Sequence, residues 1–232
     1  MAVLKQIVRF FNYLLGYAVR FLAIIAVLLI FRPKAVYVNK KVQGKKIKRP
    51  TVIVSNHIYF IDGAVIGTVF RRNRIYTIAA KELYRKKILS WLLNRTRCIP
   101  IDRSVHSASW LQKSVNVLHK GYSLAIFPEG ISSYNGVMRK FRPGYLKIAL
   151  EAGAEILLVC QDGLYKPFGP RQWMLVDTPF KVQLPEGGIT QEFIEKVNEK
   201  IYDRMQLLQQ KLRSIRYGEK DNGENPLDSE SC

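Results

Sequence analysis

Acidic residues are scarce in this chain. Eighteen Asp and Glu stand against 37 Lys and Arg, a formal charge of +19 in 232 residues, with an isoelectric point near 10.0. Such a balance is far from that of a neutral globular domain. It favours anionic partners: nucleic acid, an acidic carrier protein, phosphorylated metabolites or an anionic membrane face. Cysteine is sparse too. Cys98, Cys160 and Cys232 are odd in number and lack metal-ligand spacing, so reduced thiols are expected and no zinc or iron–sulfur site is readable. Also missing are G-x-x-x-x-G-K-[ST], G-x-G-x-x-G and G-x-S-x-G, so the usual phosphate loop, dinucleotide fingerprint and nucleophile elbow are excluded. No internal repeat is present.

What is there begins with an apolar stretch, FFNYLLGYAVRFLAIIAVLLIF at residues 10–31, about the length of a spanning helix. No small-residue cleavage site follows its apolar core, which argues against a removed signal peptide. Arg20 falls near its middle, where an arginine costs roughly 2.5–3.5 kcal/mol on insertion scales. The uninterrupted run 21–31 covers only about 16 Å of helix, half a hydrocarbon core. Lys5 and Arg9 precede the stretch, and eight Lys and Arg lie between 32 and 49. Basic flanks on both sides fit a helix lying in one leaflet, with the remainder of the chain on the cytoplasmic side, better than a crossing.

The rest is expected to divide into a membrane-associating helix at 1–34, a catalytic domain at 35–217 and a disordered acidic tail at 218–232. Apolar runs of strand length at 51–55, 75–80, 98–102, 122–127, 155–161 and 173–180 alternate with helical stretches near 62–71, 81–94, 105–120 and 143–151. That alternation predicts an α/β fold with a mixed, largely parallel sheet covered by helices. Residues 191–217 predict a longer helix, with Ile194, Val197, Ile201, Met205, Leu208, Leu212 and Ile215 along one face. The basic stretch that follows the apolar helix, from Arg32 to Arg49, reads as a linker.

In such sheets ligands gather outside the carboxyl ends of the strands. His57 directly follows the run Thr51-Val-Ile-Val-Ser55, and Asp62 lies five residues on. The two can meet only if the chain leaves the strand, bends and starts a helix near Asp62. Otherwise His57 is a hydrogen-bonded loop histidine and Asp62 a helix N-cap. Arg103 and the turn Phe127-Pro128-Glu129-Gly130 would stand at two further strand ends. No packing requirement explains these residue types there.

Four blocks resemble the lysophosphatidic acid acyltransferase family, the glycerolipid O-acyltransferases with an H-x-x-x-x-D signature. Asn56, His57 and Asp62 match the first block, and Lys81, Glu82 and Leu83 the lysine-glutamate-leucine segment after it. Ile101, Asp102 and Arg103 match I-D-R, and residues 127–130 match F-P-E-G. Departures also occur. The Thr-Arg-Ser that usually follows F-P-E-G is Ile131-Ser132-Ser133, the glycine opening the second block is Arg97, and the fourth block's proline falls at Leu158. The missing arginine usually helps to hold an acceptor phosphate; Arg139 or Arg142 could stand in for it.

The resemblance implies transfer of a fatty acyl group from acyl-CoA or acyl carrier protein to a lysophospholipid hydroxyl, without cofactor or metal. Histidine, with an ordinary pKa near 6.5, suits removal of the hydroxyl proton as the C–O bond forms. Asp62 would orient the ring and stabilise the imidazolium. The acceptor would attack directly, the oxyanion taking N–H donors near the helix start after His57. Arg103 would bind an anionic headgroup through paired hydrogen bonds, and the resemblance assigns Glu129 and Gly130 to the same pocket. A non-enzymatic basic protein binding membrane or nucleic acid would account for the charge and the apolar helix. It would leave His57, Asp62 and F-P-E-G unexplained.

Overall fold

The computed structural model describes residues 2–43, 46–102, 109–134, 136–163, 165–185 and 187–218. Arg103, the start of the expected helix at 105 and nearly all of the acidic tail, Cys232 included, lie outside the described residues. Seven strands form one sheet in the order β1-β7-β6-β2-β5-β3-β4. They are β1 (Lys34–Tyr37), β2 (Thr51–Ser55), β3 (Ile75–Ala80), β4 (Cys98–Ile101), β5 (Ser123–Ile126), β6 (Glu155–Asp162) and β7 (Trp173–Val176). Every neighbouring pair is parallel except β6 with β7. The mixed, mainly parallel α/β sheet is the architecture expected from the alternation of elements.

Every residue of β2 is buried, as a strand covered on both faces requires. Val52 and Val54 enter one core with Leu124, Leu146 and Leu208, whereas Ile53 enters the other with Val65, Ile66 and Leu157. The period of two thus feeds two separate layers. The first core is closed by α4 (Ser109–His119), α5 (Gly144–Ala152) and α6 (Gln191–Tyr217). The second is closed by α2 (Asp62–Val69) and by α1 (Ala2–Ile30), through Val27. From β2 the chain proceeds towards β3 on one side, and β6 later returns on the other. A crevice at the carboxyl end of β2 follows from that reversal.

Three elements differ from the sequence reading. The basic linker contains β1, which pairs Lys34 to Tyr37 with Trp173 to Val176. An edge strand tolerates charge, and Lys34 Nζ sits 3.9 Å from the Trp173 ring centroid. The helix expected at 81–94 divides into a 3-10 segment, Lys81–Arg85, and α3 (Lys87–Arg95), separated by an extended Lys86. Tyr84 ties the first piece to β4 by donating to the Cys98 carbonyl at 3.1 Å. The run at 173–180 ends as a strand at Val176, and Phe180 returns only as a bridge to Ile156.

Candidate active site

β2 delivers His57 to the crevice, and the turn at 59–62 brings Asp62 back beneath it. His57 Nδ1 lies 2.7 Å from Asp62 Oδ2. The same oxygen accepts the backbone N–H of Ile58 at 2.7 Å and of Tyr59 at 3.0 Å. Ile61 occupies the cap position of α2, and Asp62 is the first helical residue. The carboxylate therefore does not cap its own helix; it folds the preceding turn onto itself and orients the imidazole. A consequence is that the first two N–H groups after His57 are committed to Asp62, so an oxyanion donor near the start of α2 would come from a later residue.

Glu129 follows β5, the strand beside β2. It is 3% exposed. Its Oε1 accepts the His57 backbone N–H at 2.7 Å and its Oε2 the Arg139 N–H at 2.9 Å. Burial pushes the carboxyl above the usual range, and the two N–H donors pull it back in part. Glu129 thus grips the histidine's main chain and the returning loop. Gly130 turns that loop with φ +76°, and the Arg142 guanidinium lies 3.6 Å from where a Cβ would stand. Arg139 and Arg142 are both exposed.

The loop then crosses His57. Ser133 donates its N–H to the His57 carbonyl at 2.7 Å. Ser132 Oγ stands 3.2 Å from His57 Nε2, so both ring nitrogens have partners. The ring also stacks on Phe127, centroids 4.5 Å apart. The sequence offered no sign of Ser132 beyond its occupying the position where the family pattern breaks.

The carboxyl end of β6 completes the rim. Asn56 and Gln161 exchange two hydrogen bonds, Asn56 Nδ2 to the Gln161 carbonyl at 2.9 Å and Gln161 N to Asn56 Oδ1 at 2.7 Å. Tyr165 donates its hydroxyl proton to Gln161 Oε1 at 2.9 Å. Burial, and then the charge of Asp62, push the Tyr165 phenol well above its ordinary range. Among the described residues Asp62 Oδ1 is buried with no partner at hydrogen-bond geometry, and the Tyr165 phenol, which feels the Asp62 carboxylate, is the neighbouring hydroxyl. Beside this network Ile58, Tyr59, Tyr134 and Tyr165 line a pocket of about 190 Å³, with Lys166 at its edge. At the end of β4, Asp102 pairs with Lys81 at 3.0 Å. The structure therefore brings His57, Asp62, Glu129 and Gly130 together. Of the residues expected at the site, only Arg103 falls outside the described residues.

A family model described as Acyltransferase matches residues 36–161. The chain is 31% identical over 131 residues to a probable 1-acyl-sn-glycerol-3-phosphate acyltransferase of Mycoplasma genitalium, covering 54% of this chain and 48% of that one. It is 23% identical over 184 residues to a lyso-ornithine lipid O-acyltransferase of Pseudomonas aeruginosa, covering 76% of this chain and 70% of that one. It is 28% identical over 170 residues to a 1-acyl-sn-glycerol-3-phosphate acyltransferase of Limnanthes douglasii, of which it spans 58%. The fold is similar to that of the 1-acyl-sn-glycerophosphate acyltransferase PlsC of Thermotoga maritima, with a TM-score of 0.57 at 19% identity, covering 84% of this chain and 76% of that one.

Proposed function

Since this chain belongs to the acyltransferase family, we propose that it moves a fatty acyl group from a thioester donor, acyl-CoA or acyl carrier protein, to the hydroxyl of a lysophospholipid. One observation carries the reading. With Nδ1–H directed to Asp62 at 2.7 Å, the neutral imidazole keeps its lone pair on Nε2, where a hydroxyl must lose its proton to attack a thioester. The attacking hydroxyl gives its proton to Nε2, the acyl carbon exchanges sulfur for oxygen, and the imidazolium returns the proton to the thiolate. Asp62 holds the tautomer and stabilises the charged ring. The aromatic pocket beside His57 suits an acyl chain. Arg142, beside Gly130, and Arg103 supply positive charge for an acceptor headgroup.

A membrane setting suits a lipid acceptor. Within α1, residues 4–30 include an 18-residue window of mean hydropathy 2.3, of which 11% is buried. Arg20 donates to the Arg95 carbonyl at 2.9 Å, at the negative end of α3. The arginine thereby belongs to the domain surface, and residues 4–15 before it are exposed throughout. That part carries Lys5 and Arg9, which suits residence in one leaflet. On α3, Ile88 is 85% exposed and Trp91 and Leu92 are exposed beside it, among basic neighbours; shallow insertion suits both helices.

A second reading concerns the acceptor alone. Ser132 stands where a phosphate-facing arginine is usual, and the Pseudomonas relative acts on a lyso-ornithine lipid, so an acceptor other than lysophosphatidic acid is also supported. The experiment is acyl transfer by the purified membrane-bound protein, with acyl-CoA and acyl carrier protein as donors and a panel of lysolipids as acceptors. Transfer to at least one acceptor, lost in His57→Ala without loss of folding or membrane binding, is expected. Near-normal turnover by His57→Ala would remove the general-base assignment.

A further inference from the structure

The edge of the sheet away from His57 carries a second concentration of charge. Arg74, Arg97 and Tyr122 immediately precede β3, β4 and β5, strands that run parallel to one another. They therefore stand at the amino ends of those strands, roughly 15–20 Å from the catalytic rim. α1 brings Arg20 to the same edge, and the charges of Arg20, Arg74 and Arg97 all bear on the Tyr17 hydroxyl. Arg20 Cζ lies 4.6 Å from the Tyr17 ring centroid, and Tyr13 donates its hydroxyl proton to Tyr17 at 3.1 Å. Arg74 Nη1 donates to the Tyr122 hydroxyl at 3.0 Å. We propose that Arg20, Arg74 and Arg97 form a second binding site, which takes the phosphate headgroup of an anionic phospholipid from the leaflet in which α1 rests.

The cluster is unbalanced. No Asp or Glu occurs in residues 13–20, 71–76, 95–97 or 120–122. Among the described residues no carboxylate pairs with Arg20, Arg74 or Arg97. Burial and then the like charge of Arg97 both disfavour the Arg20 cation. Arg97 also takes φ 62°, the left-handed region that glycine enters freely and an arginine only at a cost. Glycine is the residue of the family pattern at this position, so the guanidinium is kept against the preference of its own backbone. Arg20 spends one donor on the Arg95 carbonyl and Arg74 one on Tyr122, and each guanidinium has others to offer. Arginines gathered in this way without a carboxylate are stabilised when an anion sits among them.

The setting selects a lipid as the source of that anion. Tyr13 and Tyr17 are 57% and 43% exposed, and Phe10, Leu14 and Phe21 are exposed around them on α1. An apolar helix that meets its arginines through tyrosines follows the order of a leaflet, acyl chains first and phosphates at the level of the aromatic hydroxyls. Gly16 leaves room for the headgroup side of Arg20, since a Cβ there would stand 3.3 Å from Arg20 Nη1. Planar guanidiniums give a phosphate paired hydrogen bonds. The site rests on the membrane setting above and not on the catalytic assignment. Its lipid is bound and not consumed: it fixes α1 against the amino edge while the catalytic rim stays open to the acceptor.

The test uses the full chain in neutral detergent micelles doped with dioleoylphosphatidylglycerol or dioleoylphosphatidylcholine, read by native mass spectrometry and thermal melting. Wild type should retain one phosphatidylglycerol and melt higher with it, and phosphatidylcholine should do neither. Arg97→Gly should melt at or above wild type without added lipid, because its backbone is relieved, yet bind phosphatidylglycerol about tenfold more weakly. Arg74→Gln should weaken binding likewise. Lys200→Gln, which removes the same charge from α6, should not. Equal losses in Lys200→Gln and Arg97→Gly mean diffuse attraction by the net charge and overturn the site, as does equal retention of phosphatidylcholine. Displacement of the lipid by inorganic phosphate at the same concentration makes the ligand a soluble anion and overturns the lipid assignment. Acyl transfer measured in phosphatidylcholine micelles keeps the two readings apart. Arg97→Gly should keep the wild-type kcat there; a loss would place Arg97 in the reaction and overturn a separate site. If wild type transfers no acyl group, the proposed function fails and the binding measurements still decide this one.

Discussion

Three donors converge on Asp62 Oδ2, from His57 Nδ1 and the N–H groups of Ile58 and Tyr59. Its substitution by asparagine changes the histidine more than the fold. The amide oxygen can accept the same donors, but the charge that stabilises the imidazolium is gone. Asp62→Asn is expected to keep its thermal transition within a few degrees and to lose about 10²–10⁴ in kcat, the range of general acid–base catalysis; steady-state transfer assays and a melting curve decide it. Glu129 behaves differently, because each of its oxygens accepts a backbone N–H. In Glu129→Gln one of those N–H groups faces an amide NH2, a donor against a donor, and a destabilisation of about 1–3 kcal/mol follows. The wild-type carboxyl has a raised pKa through burial, so the folded state holds its proton more tightly than the unfolded state does. Stability from this group is fully present below the ordinary glutamate range and is lost as pH rises through the raised value. Denaturant midpoints across that window should show this slope in the wild type and lack its Glu129 component in Glu129→Gln.

At the scale of elements, α6 is the strap that closes one core. Ile194, Ile201, Met205, Leu208 and Leu212 are buried along one face, as the three-to-four spacing predicts. Thr190 caps the helix by accepting the Phe193 N–H at 3.1 Å, and Gly218 ends it with φ 72°. One of its polar attachments is Arg204, which donates from Nε to Asp177 Oδ2 at 2.6 Å and from Nη2 to Oδ1 at 3.1 Å. Asp177 is fully buried. Arg204→Leu leaves that carboxylate without its guanidinium partner, and a loss of about 3–5 kcal/mol is expected in chemical denaturation, because an unpaired buried charge costs far more than a pair contributes. Asp177→Asn combined with Arg204→Leu should recover part of it. α3 and its 3-10 neighbour show the opposite dependence. No Gly or Pro interrupts residues 81–95, and the break at Lys86 accompanies anchoring of Tyr84 to β4.

For the whole molecule, charge and apolar surface lie together. The net +19 and the exposed apolar side chains of α1 and α3 suit an anionic leaflet. Roughly 27 Å of helix precedes Arg20, interrupted by Lys5 and Arg9. We expect this segment to lie along one leaflet on the cytoplasmic side. A cysteine replacing Leu4 should therefore resist an impermeant thiol reagent added outside intact cells and react after lysis. Labelling from outside would show a crossing helix instead.

The sequence by itself determined the class of the fold, because strand and helix identity follow from periods of two and 3.6 that lie within a few residues. β2, β3 and α6 have the limits read from the chain. It also predicted that His57, Asp62, Arg103 and Glu129 would share one rim, because residues after parallel strands must emerge at the same edge; His57, Asp62 and Glu129 do, and Arg103 lies outside the described residues. Only the tertiary structure decided what those residues do to one another. Glu129 grips His57 across 72 positions and Ser132 reaches its ring across 75, separations at which no local pattern survives. The same holds for β1, a charged edge strand visible only through its pairing with β7, and for Arg20, which counts as a misfit in an apolar helix until the Arg95 carbonyl stands opposite it. Local pattern is set by backbone geometry; partnership is set by which strands the topology places side by side.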